Sequence, residues 1–209
     1  MFDRNYVLEY LKQRKQANDN FTLIDVGSYG DSWAKNYITA TVDIQPCTVG
    51  TYHFTGDMNL VPVWKEVFDH VNEHGKFNFA VCTGTLEDIS SPKFVCDMLE
   101  QIAEEGYIAV PSKYVECRKH PDHPEEGPIR GWIHHRWIYN IEDGKFIGYP
   151  KLPFTEYLEY FDEIGKKFNG NNDELSFFWK EMIDLHIINN DFFPSSYYMY
   201  EVYKNIIND

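Results

Sequence analysis

Between Phe21 and Pro111, compact apolar runs alternate with segments of helical period, and no other feature constrains the fold as strongly. The runs are Phe21–Val26 (FTLIDV), Thr39–Ile44 (TATVDI), Phe77–Cys82 (FNFAVC) and Tyr107–Val110, with Tyr52–Phe54 as a shorter candidate. They are too short for stable helices and lack a polar face. That is the pattern of strands buried on both sides of a parallel sheet. Val61–His74 puts Val61, Trp64, Val67, Phe68 and Val71 on one helical side. Pro92 opens a second helix with Phe94, Val95, Met98, Leu99 and Ile102 inward, and Gly106 is expected to end it. Alternation of this kind predicts an α/β fold: a mostly parallel sheet, closed by an antiparallel strand, with helices on both faces.

The flanks are less regular. Tyr6–Arg14 reads as a short amphipathic helix through Val7, Leu8 and Leu11, and Asn18–Asn20 breaks it. His120–Gly131 is polar, contains Pro121, Pro124 and Pro128, and reads as a loop. Trp132–Ile141 and Lys145–Tyr149, joined through Glu142–Gly144, read as a hairpin. Thr155–Phe168 reads as a helix and Gly170–Asp173 as a turn. Leu175–Ile188 and Tyr197–Tyr203 fit closing strands or helices equally well. With 209 residues the expectation is one domain over 1–209, its ligand-binding half at about 21–111 and an acceptor side at about 112–209.

Charge narrows the partners. Lys and Arg number 19 against 33 Asp and Glu, a net charge of −14, and the basic residues are scattered. A phosphate backbone needs clustered cations, so nucleic acid and anionic membrane are disfavoured and a neutral or cationic ligand is favoured. Cys47, Cys82, Cys96 and Cys117 form no CxxC pair, which argues against a zinc knuckle. The first residues lack the apolar core of a signal peptide, and no apolar run approaches the roughly 20 residues of a spanning helix. The expected location is a reducing cytoplasm.

The tips of the runs carry the chemistry. Asp25-Val-Gly27-Ser28-Tyr-Gly30 follows the first strand, where glycine permits close backbone approach to a ligand. Asp43, followed by Ile44, ends the second strand, where a carboxylate can accept both hydroxyls of a ribose. Gly56-Asp57 follows the third, in position for an adenine amino group, and Thr83-Gly84 ends the fourth. Each is an ordinary turn or strand end taken alone. Together they point to a nucleoside ligand.

The stretch Phe77–Pro111 is more specific: a strand, a polar tip, Leu86-Glu87-Asp88, a Pro-started helix, then Gly106 and a strand ending in Pro111. With Asp25, Gly27, Asp43 and Asp57, it resembles class I S-adenosylmethionine (SAM)-dependent methyltransferases, whose fold is Rossmann-like. The resemblance covers about 21–111. It implies that Asp25, Gly27, Ser28, Gly30, Asp43, Ile44, Gly56, Asp57, Thr83 and Gly84 hold SAM. The chain departs from the family where Ser32-Trp33 replaces a third glycine and Asp88 replaces a frequent histidine.

Arg130-Gly-Trp-Ile-His134-His135-Arg136-Trp137 resembles methyltransferase domains that sit beside glycosyltransferases in the glycan machinery of large algal DNA viruses. Those domains O-methylate a terminal deoxysugar such as rhamnose. The resemblance implies a sugar or glycan acceptor, association with glycosyltransferase domains, and a host-cytoplasm location for a viral chain. Asp88, His134 and His135 are the candidate catalytic residues, since an imidazole titrates near neutrality and a carboxylate can take or hold a proton. Strand alternation would put His134 and His135 on opposite faces, so only one is expected to face the site. Glu116 and Asp88 with a histidine would suit a divalent cation such as Mg²⁺ or Mn²⁺. Trp132, Trp137, Tyr139 and Trp179 are candidates for stacking on a sugar ring. A nicotinamide-dependent oxidoreductase and a non-catalytic binding module stay open as alternatives.

Overall fold

The computed structural model describes residues 4–30, 32–119 and 129–188. The expected strand or helix at Tyr197–Tyr203 and most of the proline-containing loop at His120–Gly131 lie outside these residues. Helix α1 (Arg4–Ala17) precedes strand β1 (Leu23–Val26), followed by β2 (Ala40–Asp43) and β3 (Tyr52–Thr55). Then come α2 (Val61–His74), β4 (Phe79–Thr83), α3 (Pro92–Ile102), β5 (Glu105–Pro111) and α4 (Lys113–Glu116). A hairpin of β6 (Trp137–Glu142) and β7 (Lys145–Pro150) leads to α5 (Phe154–Tyr157), α6 (Tyr160–Gly165), β8 (Glu174–Lys180) and β9 (Leu185–Ile187).

The main sheet has six strands in the order β3-β2-β1-β4-β5-β8. All its pairs are parallel except β5 with β8, the antiparallel closing strand. The unbroken apolar runs resolve into two alternating faces. Ile24, Ala80, Cys82, Ile108 and Val110 face a core completed by Val63, Trp64 and Val67 of α2 and Val95, Leu99 and Ile102 of α3. Leu23, Phe79, Val81, Tyr107 and Ala109 face a second core under Val7 and Leu11 of α1. Strands β1, β4 and β5 therefore stabilise both layers, at roughly 2 kcal/mol per fully buried aliphatic side chain. A three-stranded sheet, β6-β7-β9, packs its Tyr139, Phe146 and Leu185 into the first core.

Three expectations are corrected. Helix α3 ends at Ile102, because Ala103 takes an extended backbone; Gly106 lies inside β5 and packs against Trp179. The 155–168 segment is two short helices rather than one. Strand β6 starts only at Trp137, so residues 132–136 are a turn and loop. The hairpin itself is as expected: Asp143 and Gly144 both have positive φ, 50° and 79°, which a two-residue turn between twisted strands requires. Among the described residues no helix is long and apolar enough to cross a membrane.

Candidate active site

The strand order reverses at β1, which pairs β2 on one side and β4 on the other. At such a switch point the loops diverge and leave a crevice beyond the carboxyl ends of the strands. Gly27 and Gly84 stand on its two sides. Gly27 has φ +88°, and a Cβ there would come within 2.0 Å of Thr85 Oγ1. Only glycine lets the β4 loop close on this turn, where Thr85 Oγ1 donates toward the carbonyls of Val26 and Gly27 at 3.4 Å. Trp33 Nε1–H donates to Thr83 Oγ1 at 3.1 Å and closes the crevice from the other core.

Asp43 ends β2 almost fully buried, and its carboxylate is held by two amides. Gln45 N–H donates to Oδ1 at 2.9 Å and Tyr29 N–H to Oδ2 at 2.8 Å. Each oxygen keeps acceptor capacity for a further hydroxyl. Ile44 and Tyr29 flank it with apolar side chains that are 66% and 81% exposed. An acid between two exposed apolar side chains suits a flat, hydroxyl-bearing nucleoside. Asp25 lies beneath, inside β1. Burial pushes its carboxyl up to about 7, opposed by the Ser32 hydroxyl and reinforced by the charge on Asp43.

The other expected nucleoside residues divide. Ser28 is turned inward, sharing a hydrogen bond with Cys47 Sγ at 2.8 Å. Gly30 accepts from Thr48 Oγ1 at 3.2 Å and has open space where a side chain would stand. Gly56 N–H donates to the Asp43 carbonyl and ties β3 to β2. Asp57 Oδ1 accepts from both Asn59 N and Asn59 Nδ2, at 2.9 and 2.7 Å, so that oxygen serves a local turn. Asn59 in turn receives Ser90 Oγ and Ser91 N, bracing the β4–α3 loop.

That loop continues into a second cluster. His135 Nε2 lies 3.6 Å and His134 Nε2 3.7 Å from Asp88 Oδ1. The two histidines therefore converge on one atom, against the expectation from strand alternation. The reason is the turn before β6, which is clamped at both ends. Arg130 is buried and donates to the carbonyls of Thr155, Cys117 and Leu158 and to Asp162. Beyond the histidines, Arg136 N–H donates to Glu87 O at 2.6 Å and Trp137 Nε1–H to Ile89 O at 2.8 Å. Gly131 has φ +56°, and a Cβ there would lie 2.4 Å from Glu116 Oε2.

Glu116 explains the position of His135. Its side chain is 0% exposed; Oε1 pairs with His135 Nδ1 and Oε2 with Lys151 Nζ at 3.1 Å. Lys151 Nζ also donates to the carbonyls of Arg130 and Trp132, at 2.6 and 2.8 Å. With Nδ1 held by the Glu116 carboxylate, the other ring nitrogen, Nε2, is directed at Asp88 Oδ1. Trp132 packs its ring against His135 at 4.8 Å. Of the other expected stacking aromatics, Tyr139 and Trp179 are buried in the core, with the Tyr139 hydroxyl donating to Leu86 O. Lys151 and Glu87 were not legible as site residues. Burial pushes Glu87 up to about 8, against bonds from its own and the Thr85 backbone and with Asp88 and Glu116 adding charge.

No family model matches the chain, and no curated protein does. Among solved structures it is similar to a provisionally assigned methyltransferase of Bacillus halodurans C-125, at 15% identity over 50% of this chain and 51% of that one, TM-score 0.35. It is also similar to the N-terminal domain of EvdMO1 with SAH bound, at 9% identity over 98% of this chain and 74% of that one, TM-score 0.35. A third is the MycE methyltransferase of the mycinamycin biosynthetic pathway in complex with Mg and SAH, at 13% identity over 66% of this chain and 46% of that one, TM-score 0.33. The chain thus spans about half the length of the first and third of these.

Proposed function

We propose that this chain is a SAM-dependent methyltransferase that O-methylates a hydroxyl of a sugar or glycan, with a terminal deoxysugar such as rhamnose as the acceptor class. The reading rests on one observation. A single loop, 83–88, closes on the glycine turn through Thr85 and carries Asp88 into the histidine cluster. A nucleoside held at Asp43 and an acceptor held at Asp88 would meet along that loop.

When bound, SAM supplies an electrophilic methyl on a sulfonium. Asp43 would hold the ribose hydroxyls, Ile44 and Tyr29 would offer apolar surface to the base, and the backbone of Gly27 and Gly84 would admit the remainder. Fixing donor and acceptor in one geometry contributes several kcal/mol to the barrier reduction. The acceptor proton leaves at the Asp88–His134–His135 cluster, by general-base removal or by lowering of the hydroxyl pKa. Trp132 gives the ring an apolar wall. Association with glycosyltransferase domains and a cytoplasmic setting belong to the same reading.

Calorimetry with S-adenosylhomocysteine (SAH) and with NADH is the test. SAH binding with no NADH binding supports the proposal. NADH binding would favour an oxidoreductase, and binding of neither ligand a non-catalytic module.

A further inference from the structure

We propose that Asp88, His134 and His135 form the ligand set for one divalent first-row transition-metal ion, with Glu116 and Lys151 as positioning residues. The three offer one ligand atom each, all within 4.8 Å of one another. An ion with ligand bonds of about 2.0–2.2 Å sets tetrahedral ligand atoms about 3.3–3.6 Å apart. The two His–Asp separations, 3.6 and 3.7 Å, are already close to that.

Three further observations support the assignment. Asp88 Oδ1 is sealed from solvent with no hydrogen-bond partner, although the side chain as a whole is 40% exposed. A buried carboxylate oxygen without a donor costs free energy unless a cation satisfies it. Glu116 occupies His135 Nδ1, the arrangement by which a carboxylate orients a metal-binding imidazole and raises its basicity. His134 is 61% exposed on its side chain, so the cluster opens toward solvent on one side. Three protein ligands with an open side leave a position for an exogenous oxygen, the pattern of a catalytic rather than a structural site.

Two imidazoles and one carboxylate favour Zn²⁺, Co²⁺ or Mn²⁺ over Mg²⁺, which prefers oxygen ligands and retained water. The chemical purpose rests on the reading under Proposed function. There the acceptor hydroxyl would take the open position and lose its proton to solvent more easily, while its oxygen stays positioned for methylation. Metal binding itself is separable from that purpose.

The test uses the full chain stripped with EDTA. Zn²⁺, Mn²⁺ and Mg²⁺ are titrated by calorimetry, Co²⁺ is followed by its visible absorption, and SAH is titrated in parallel. The expected result is one transition ion per chain, bound at least tenfold more tightly than Mg²⁺. The same result requires at least a tenfold loss of affinity in His134→Ala and Asp88→Asn, and 10–100-fold in Glu116→Gln. His134→Ala removes an exposed side chain, so an unchanged metal-free melting curve shows that its effect is not unfolding. No stoichiometric ion, or equal affinity in wild type and His134→Ala, overturns the proposal. If SAH binds while no ion does, the metal assignment fails and the methyltransferase reading stands. If an ion binds while SAH does not, the metal assignment stands and the methyltransferase reading fails.

Discussion

Asp25 and Asp43 sit at adjacent strand tips, yet their surroundings prepare them differently. Asp43 receives two amides and stays available at the crevice, whereas Asp25 is buried inside β1 with its carboxyl pushed up to about 7. An unfolded aspartate titrates near about 3.9, so the folded chain holds the Asp25 proton more tightly. Its contribution to stability is then fully present below about pH 4 and is lost as pH rises toward 7, at up to about 1.4 kcal/mol per pH unit. Urea unfolding across that window should show wild type losing stability relative to Asp25→Asn, which cannot ionise. Parallel profiles for the two proteins would mean that folding does not raise the Asp25 pKa. Asp43→Ala acts on binding rather than on folding. If Asp43 accepts the ribose hydroxyls as proposed, its removal should weaken SAH by more than tenfold, about 1.4 kcal/mol or more. Unchanged affinity in calorimetry would remove Asp43 from the nucleoside site.

The elements that could be read from the chain are those whose signal is local. Helix α2 is found where its apolar period runs, Val61–His74, and α3 begins at the expected Pro92. The strand tips of β1, β2 and β4 follow from two-sided apolar runs that stop at Gly27, Asp43 and Thr83. Residues 132–136 differ from the expected strand because Trp-Ile-His-His-Arg also fits an extended run, and nothing local contradicts that. What bends it is distant in sequence: Arg130 against α5 and α6, and Arg136 against Glu87. Lys151, which neutralises Glu116 across 35 residues, leaves no local trace either. This dependence makes the turn fragile at one residue. Gly131→Ala would combine a left-handed backbone with a Cβ 2.4 Å from Glu116 Oε2 and 3.0 Å from Glu116 Cα. It should cost about 2 kcal/mol of stability, seen as a lower melting temperature, and should displace His135 from Asp88. Full stability would show that the turn relaxes freely and that the clamp does not define the cluster.

At the scale of the whole molecule, net charge and topology act on the same crevice. The strand reversal at β1 opens it, the acids at the strand tips line it, and a net charge of −14 surrounds it with a negative potential. SAM and SAH differ by the sulfonium charge, so their affinity ratio reports the field at the sulfur while the shared nucleoside contacts cancel. Two parts of that field respond differently to salt. Surface carboxylates act through water and are screened as the Debye length shortens from about 30 Å at 0.01 M to about 3 Å at 1 M salt. The buried Asp43 lies in low dielectric beside the crevice and is screened much less. The SAM-to-SAH affinity ratio should therefore fall as salt is raised and then level off above one. A ratio that does not change with salt would mean the surface charge does not reach the sulfur. A ratio that falls to one would mean that Asp43 does not face it, and the nucleoside would then have to sit elsewhere on the strand edge.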